Sequence, residues 1–170
     1  ECNHQPIKIL EIGSWIGASA ITWSNAIRLF NDRSGQVFCV DPWEPYLFNQ
    51  ETPSGWDLHM DNLLTNDFAH QLFNHNIQCS GNNSLIQAFR GLSSSIVPNF
   101  PDDTFDIIFI DGAHDYESVK QDIQIAKPKL VNFGVLCGDD YELQLSEVDK
   151  GEIIEHVEIR KDYCLDSKTG

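Results

Sequence analysis

The feature that most constrains this chain is its alternation of short apolar runs with stretches of helical spacing. Ile7–Ile12, Gln36–Asp41, Phe105–Asp111 and Gly134–Asp139 read as strands, with Ile77–Cys79 as a short one between the second and the fourth. Phe-Asp-Ile-Ile-Phe-Ile-Asp is apolar enough to be buried on both faces, as in a parallel sheet. From Gly17 to about Asn31, Ile21, Trp23, Ala26, Ile27 and Phe30 recur at mostly helical spacing. From His114 to about Lys127, Tyr116, Val119, Ile123 and Ala126 do the same, until Pro128 interrupts. Trp56 to about Asn74 is helical in pattern, and Ser84–Arg90 reads as a short helix with Ser84 as its N-cap. Pro42–Gly55, with three prolines, and Gly91–Asp103, with Pro98 and Pro101, read as loops. Such alternation implies right-handed βαβ units: an α/β, Rossmann-like, doubly wound, mostly parallel sheet with helices on both faces.

Length and charge narrow the partners. The 170 residues are expected to form a single domain. A net charge of -15 argues against nucleic acid or an anionic membrane as partner, since both demand a basic face. An acidic surface can equally serve solubility alone. The five cysteines show no CxxC spacing; Cys39, Cys79 and Cys137 fall in or beside apolar runs, where cysteine behaves as a small hydrophobe. A reduced, cytoplasmic protein is the expectation. No apolar stretch reaches the roughly 18 residues of a membrane span, and no signal peptide is visible.

In doubly wound sheets, ligands collect at the carboxyl ends of the strands, and the chemically distinctive residues of this chain cluster there. The first strand runs into Glu11-Ile12-Gly13-Ser14-Trp15-Ile16-Gly17, where glycine lets the chain turn tightly beneath a ligand. The spacing fails the dinucleotide fingerprint GxGxxG, and a purely structural turn is the competing explanation. Asp41 ends the second strand, where a carboxylate can accept both hydroxyls of a ribose. Trp43 then either covers an adenine face or anchors its loop. Ser80-Gly81-Asn82-Asn83-Ser84 offers small polar groups suited to an adenine edge, although such residues are common in any turn.

Asp111 follows the fourth strand, and Asp139 and Asp140 follow the fifth. Neighbouring strand ends lie about 5 Å apart, so these carboxylates can converge. Their repulsion is relieved by a cation, and oxygen-only ligation suits Mg²⁺, Ca²⁺ or Mn²⁺. Service as helix caps is the alternative for one or two of them. His114, three residues after Asp111, is placed to act as a general base on a substrate oxygen. Its alternatives are a place in a facial-triad iron site, which needs a second strand-end histidine, or capping of the following helix.

Taken together, Phe109-Ile110-Asp111-Gly112-Ala113-His114-Asp115-Tyr116 and Gly138-Asp139-Asp140-Tyr141 resemble the metal-dependent class I S-adenosylmethionine (SAM) O-methyltransferases. The nearest group contains macrocin O-methyltransferase and related sugar-modifying enzymes. The Leu10–Gly17 and Val40–Trp43 runs support the likeness, which covers about residues 7 to 141. The resemblance implies that Glu11, Gly13, Ser14 and Gly17 line the methionine part of SAM, with Asp41 on the ribose and the Asn83–Ser84 region near the adenine. It also implies that Asp111, Asp139 and Asp140 hold Mg²⁺ and that His114 is the base. In catechol O-methyltransferase, a more distant relative, an asparagine is the third metal ligand and a lysine the base. His114 therefore tilts the expected acceptor toward a sugar or vicinal diol, a small-molecule hydroxyl.

Members of this fold usually continue past the fifth strand with another helix and a final antiparallel pair. Only Glu142 to Gly170 remain here, with Ile153–Ile159 as a strand or short helix, so a shortened or incomplete C-terminal part is expected. Two alternatives stand beside the methyltransferase: a nucleotide-linked oxidoreductase and a non-catalytic SAM-fold module of a larger assembly. Assembly into a homo-oligomer is left open.

Overall fold

The computed structural model describes residues 5–32, 34–45 and 55–139. Asp140, the Ile153–Ile159 segment and most of the Pro42–Gly55 loop lie outside these. Five strands, β1 (Ile7–Ile12), β2 (Gly35–Asp41), β3 (Ile86–Arg90), β4 (Phe105–Ile110) and β5 (Leu130–Gly138), form one sheet in the order β3-β2-β1-β4-β5. Every pairing is parallel. Between them run α1 (Ala18–Phe30), α2 (Gly55–Thr65), α3 (Phe68–Ser80), the single turn α4 (Ser93–Ile96) and α5 (Tyr116–Ala126).

Alternation along the strands separates two cores. Ile9, Val37 and Cys39 face α1, α2 and α3, meeting Ala20, Ile27, Leu64, Ala69, Phe73 and Ile77. Leu10, Ile12, Val40, Ile108 and Ile110 face the opposite way, toward Val97 and the Ala126 of α5. Aromatic rings thicken that second core: Phe38, Phe89, Phe100 and Phe105 pack with centroids 5.2–6.1 Å apart. The chain winds over one face up to β3 and over the other from α4 onward. The winding reverses between β1 and β4, the topological switch point at which doubly wound sheets bind their ligands.

The structure corrects three expectations. Ile77–Gln78–Cys79 is the last turn of α3 and not a strand, because Ala69, Phe73 and Ile77 form one buried helical stripe. The helix stops at Gly81, whose φ of 70° is a left-handed C-cap. The third strand is instead Ile86–Arg90, where a short helix capped by Ser84 was expected. Trp56 to Asn74 is also two helices, broken at Asp67 with φ 58° and without a glycine or proline to announce the break. Smaller differences are a helical turn at Ser93–Ile96 inside the expected Gly91–Asp103 loop and an exposed Cys79. Among the described residues no helix is long and apolar enough to cross a membrane.

Candidate functional site at the carboxyl ends of the strands

The ladder continues past the strand ends and fixes their turns. Gly13 N–H donates to Val40 O (2.9 Å), Asp111 N–H to Ile12 O (2.8 Å) and Gly91 N–H to Asp41 O (3.0 Å). Gly13 has φ 87°, and a Cβ placed there would lie 2.0 Å from Asp111 O. Only glycine fits where the exits of β1 and β4 press together. Gly17 (φ 88°) closes the turn against Phe73 and Ile77, each of which would be 3.1 Å from an added Cβ. From α3, Asn76 Nδ2 donates to Ile16 O at 2.9 Å and pins the middle of the turn.

Asp41 ties the turns after β1 and β2 together. Its Oδ2 accepts from Ser14 N and Trp15 N, both at 2.9 Å, and its Oδ1 from Trp43 N at 2.7 Å. A carboxylate has about four lone-pair sites, so one remains for a ligand hydroxyl. Burial pushes the Asp41 carboxyl upward, against the lowering effect of those three N–H groups and of nearby His70. Trp15 (φ 44°) and Trp43 (φ 46°) both hold left-handed backbone, a strain on the order of 1 kcal/mol each that this triple grip over-determines.

Of the two roles open to Trp43, the structure shows the loop anchor. Its ring is 1% exposed, packs on His70 and Phe73 at 4.7 and 4.8 Å, and donates from Nε1 to Trp15 O at 2.7 Å. It is not available as a cover for an adenine. Asn83 and Ser84 are corrected likewise: they lead into β3, at the opposite end of the sheet from the glycine turn. Neighbouring Asn82 is spent on Arg28 (2.8 Å) and Asn25 (2.9 Å) of α1. The turn leaving β3 is Gly91-Leu92-Ser93, the start of the expected Gly91–Asp103 loop, in which sequence reasoning named no site residue. It displays Leu92 at 59% exposure.

Glu11 lies beneath the glycine turn and is wholly buried. Among the described residues neither carboxylate oxygen has a hydrogen-bond partner of good geometry, nor does the buried hydroxyl of Ser14. Burial drives the Glu11 carboxyl up, the Asp111 charge adds to that, and the polar neighbours Ser14, Ser19 and Cys39 offset part of it. A buried acceptor of this kind is costly unless something cationic meets it.

Asp111, His114 and Asp139 line one cleft of about 240 Å³, walled by Val119, Ile123 and Leu136. Asp115, not His114, caps α5, accepting from Ser118 N at 3.0 Å. Burial raises the Asp115 carboxyl, but the Ser118 and Glu117 hydrogen bonds outweigh it and hold it below its ordinary value. Among the described residues no group of three or more His, Cys, Asp or Glu side chains could hold a metal ion; the expected third ligand, Asp140, lies outside them.

A five-stranded parallel sheet in this order, flanked by helices, defines the Rossmann-like fold of the class I SAM methyltransferases. The family profile described as a methyltransferase domain matches residues 10–141, and the chain belongs to that family. The O-methyltransferase NovP superposes with a TM-score of 0.59 at 21% identity, covering 92% of this chain and 65% of its own. A protein from Nostoc punctiforme assigned as an O-methyltransferase gives 0.59 at 12% identity, over 94% and 40% of the two chains. One from Staphylococcus aureus assigned as a caffeoyl-CoA O-methyltransferase gives 0.53 at 20%, over 92% and 63%. The chain thus spans 40–65% of the length of these three, and at such identities they establish the fold alone. No curated protein matches the sequence.

Proposed function

We propose that this domain transfers the methyl group of SAM to a hydroxyl oxygen of a small molecule, a sugar or vicinal diol, with a divalent cation beside the acceptor. The observation that carries the SAM assignment is Glu11: a wholly buried carboxylate held only by the weak polar contacts of Ser14, Ser19 and Cys39 among the described residues, under a turn that only glycine can make. The α-ammonium of a methionine moiety is a cation of the right size and charge to satisfy it. Ser14 Oγ, buried and without a hydrogen bond of good geometry among the described residues, is a second donor or acceptor for the same moiety. Asp41 keeps one lone pair for a ribose hydroxyl. When bound, SAM supplies a sulfonium methyl open to in-line displacement by oxygen.

The cation is supported by donor chemistry. Asp111 and Asp139 line the same cleft, and hard carboxylate oxygens suit Mg²⁺ or Mn²⁺. Asp140 would join them as the third oxygen donor. A divalent ion there would lower the pKa of an acceptor hydroxyl held next to it. His114, exposed on the same cleft wall, would accept on its imidazole the proton that the acceptor hydroxyl gives up. A net charge of -15 favours a small acceptor over a nucleic acid.

Isothermal titration with S-adenosylhomocysteine and with NAD tests the cofactor assignment, and binding of NAD alone would overturn it. Methyl transfer from labelled SAM to a panel of diols and glycosides, with Mg²⁺ or EDTA, tests the rest. His114→Ala is expected to lower kcat by roughly 10²-fold while leaving S-adenosylhomocysteine affinity within about two-fold of wild type. Full activity in EDTA would remove the cation from the mechanism.

A further inference from the structure

Asp122 is the one charged side chain described as buried on the α5 side of the sheet, at 5% exposure among Ala126 and the second core. Nothing in the catalytic proposal uses it. Its Oδ1 accepts from Ser93 Oγ at 2.5 Å, and its Oδ2 would lie 3.6 Å from a Cβ added at Gly112. The same point on Gly112 would be 3.6 Å from the side chain of Ile12. One carboxylate thus bonds to the turn after β3 and lies beside the turn after β4.

An apolar residue would fill that position at less cost, since burial and the Asp115 charge both work against an ionised Asp122. What a carboxylate adds is its hold on Ser93. That hold matters because α4 is a four-residue turn whose N-cap, Leu92, makes no side-chain cap bond. So short a helix does not sustain itself, and its placement depends on outside contacts. Gly91, with φ 156°, adds backbone freedom just ahead of it.

We propose that Asp122 is a positioning residue for the methyl donor: through Ser93 it fixes the Gly91-Leu92-Ser93 turn, so that Leu92 presents its apolar side chain to the adenine. The proposal rests on the SAM assignment above and adds a residue remote from the glycine turn. Asp122 acts through Ser93 and does not touch the reacting atoms.

The test is isothermal titration of S-adenosylhomocysteine and of adenosine into wild type, Ser93→Ala, Asp122→Ala, Asp122→Asn and the Ser93→Ala/Asp122→Ala double variant, well below each melting temperature. Ser93→Ala and Asp122→Ala are each expected to weaken both ligands by about ten-fold, the scale of one hydrogen bond to a charged group. The double variant should be no weaker than Asp122→Ala, because the two share one interaction. Asp122→Asn, whose amide oxygen can still accept from Ser93, should recover most of the affinity. A purely structural role would lower the melting temperature and leave both dissociation constants within two-fold of wild type, which overturns the proposal. If Asp122→Ala does not fold, Ser93→Ala decides alone by the same criterion. Wild type that binds neither ligand overturns the SAM assignment and this inference with it; wild type that binds, beside an unaffected Ser93→Ala, overturns only the inference.

Discussion

The side chain most at odds with its surroundings is Glu11. An acid whose folded pKa lies above its ordinary 4.5 binds its proton more tightly when folded. Its penalty to the unliganded protein is therefore absent below the unfolded value. The penalty grows as pH rises from there through the folded pKa, and is complete above it. Glu11→Gln should accordingly stabilise the unliganded domain by roughly 1–3 kcal/mol at neutral pH and by much less near pH 4, measured by urea unfolding across pH. The same change should weaken S-adenosylhomocysteine about ten-fold or more, since a neutral amide loses the charge that an ammonium would meet. An increase in stability without a loss of affinity would separate Glu11 from the ligand. At this scale the sequence was informative where position implied chemistry: Glu11, Asp41, Asp111 and Asp139 all stand at strand ends. It could not choose between two roles for Trp43, because an indole that covers a ligand and one that is buried at 1% exposure carry the same letter in the same loop.

Among the elements, the exits of β1 and β4 form the tightest joint. Gly13→Ala would drive a methyl group into the Asp111 carbonyl, at a backbone φ that alanine avoids, and both strands are central to the sheet. The expected loss is at least about 3 kcal/mol of stability, with no detectable S-adenosylhomocysteine binding, followed by denaturant melts and titration. Legibility at this scale followed burial. β1, β2 and β4 are interior strands, and their apolar runs left little room for another assignment. β3 is an edge strand, and its Gln87, Ala88 and Arg90 are exposed, which diluted the pattern to something a short helix could also carry. Ile77 belongs to a helical stripe with Phe73 and Ala69, but taken with Cys79 alone it looks like the alternation of a strand. Placing the third strand one element too early put the expected adenine contact at Asn83 and Ser84, which lead into β3 at the opposite end of the sheet from the glycine turn.

For the whole molecule, the dominant quantity is the net charge of -15 spread over 170 residues. Self-repulsion on this scale opposes the compact state, and salt screens it. Raising NaCl from about 10 to 300 mM, which shortens the Debye length from roughly 30 to below 8 Å, should raise the melting temperature by about 2–4 °C. A melting temperature that falls with salt would mean that specific ion pairs, such as Lys129–Asp102 at 2.6 Å, dominate instead.

The central place of β1 has a further consequence, for how the chain is made. β1 leaves the ribosome ahead of the other four strands, and β2 soon covers one of its edges. Its other edge waits for β4, paired from Ile9 with Ile107. At about 5–20 residues per second, that wait lasts roughly 5–20 s, during which Ile9, Leu10 and Ile12 border an open strand edge on a tethered nascent chain. The junction of β1 with β4 is therefore among the last features of the sheet to close, and any growing chain that holds the first three strands without the fourth offers that edge to its neighbours on the polysome.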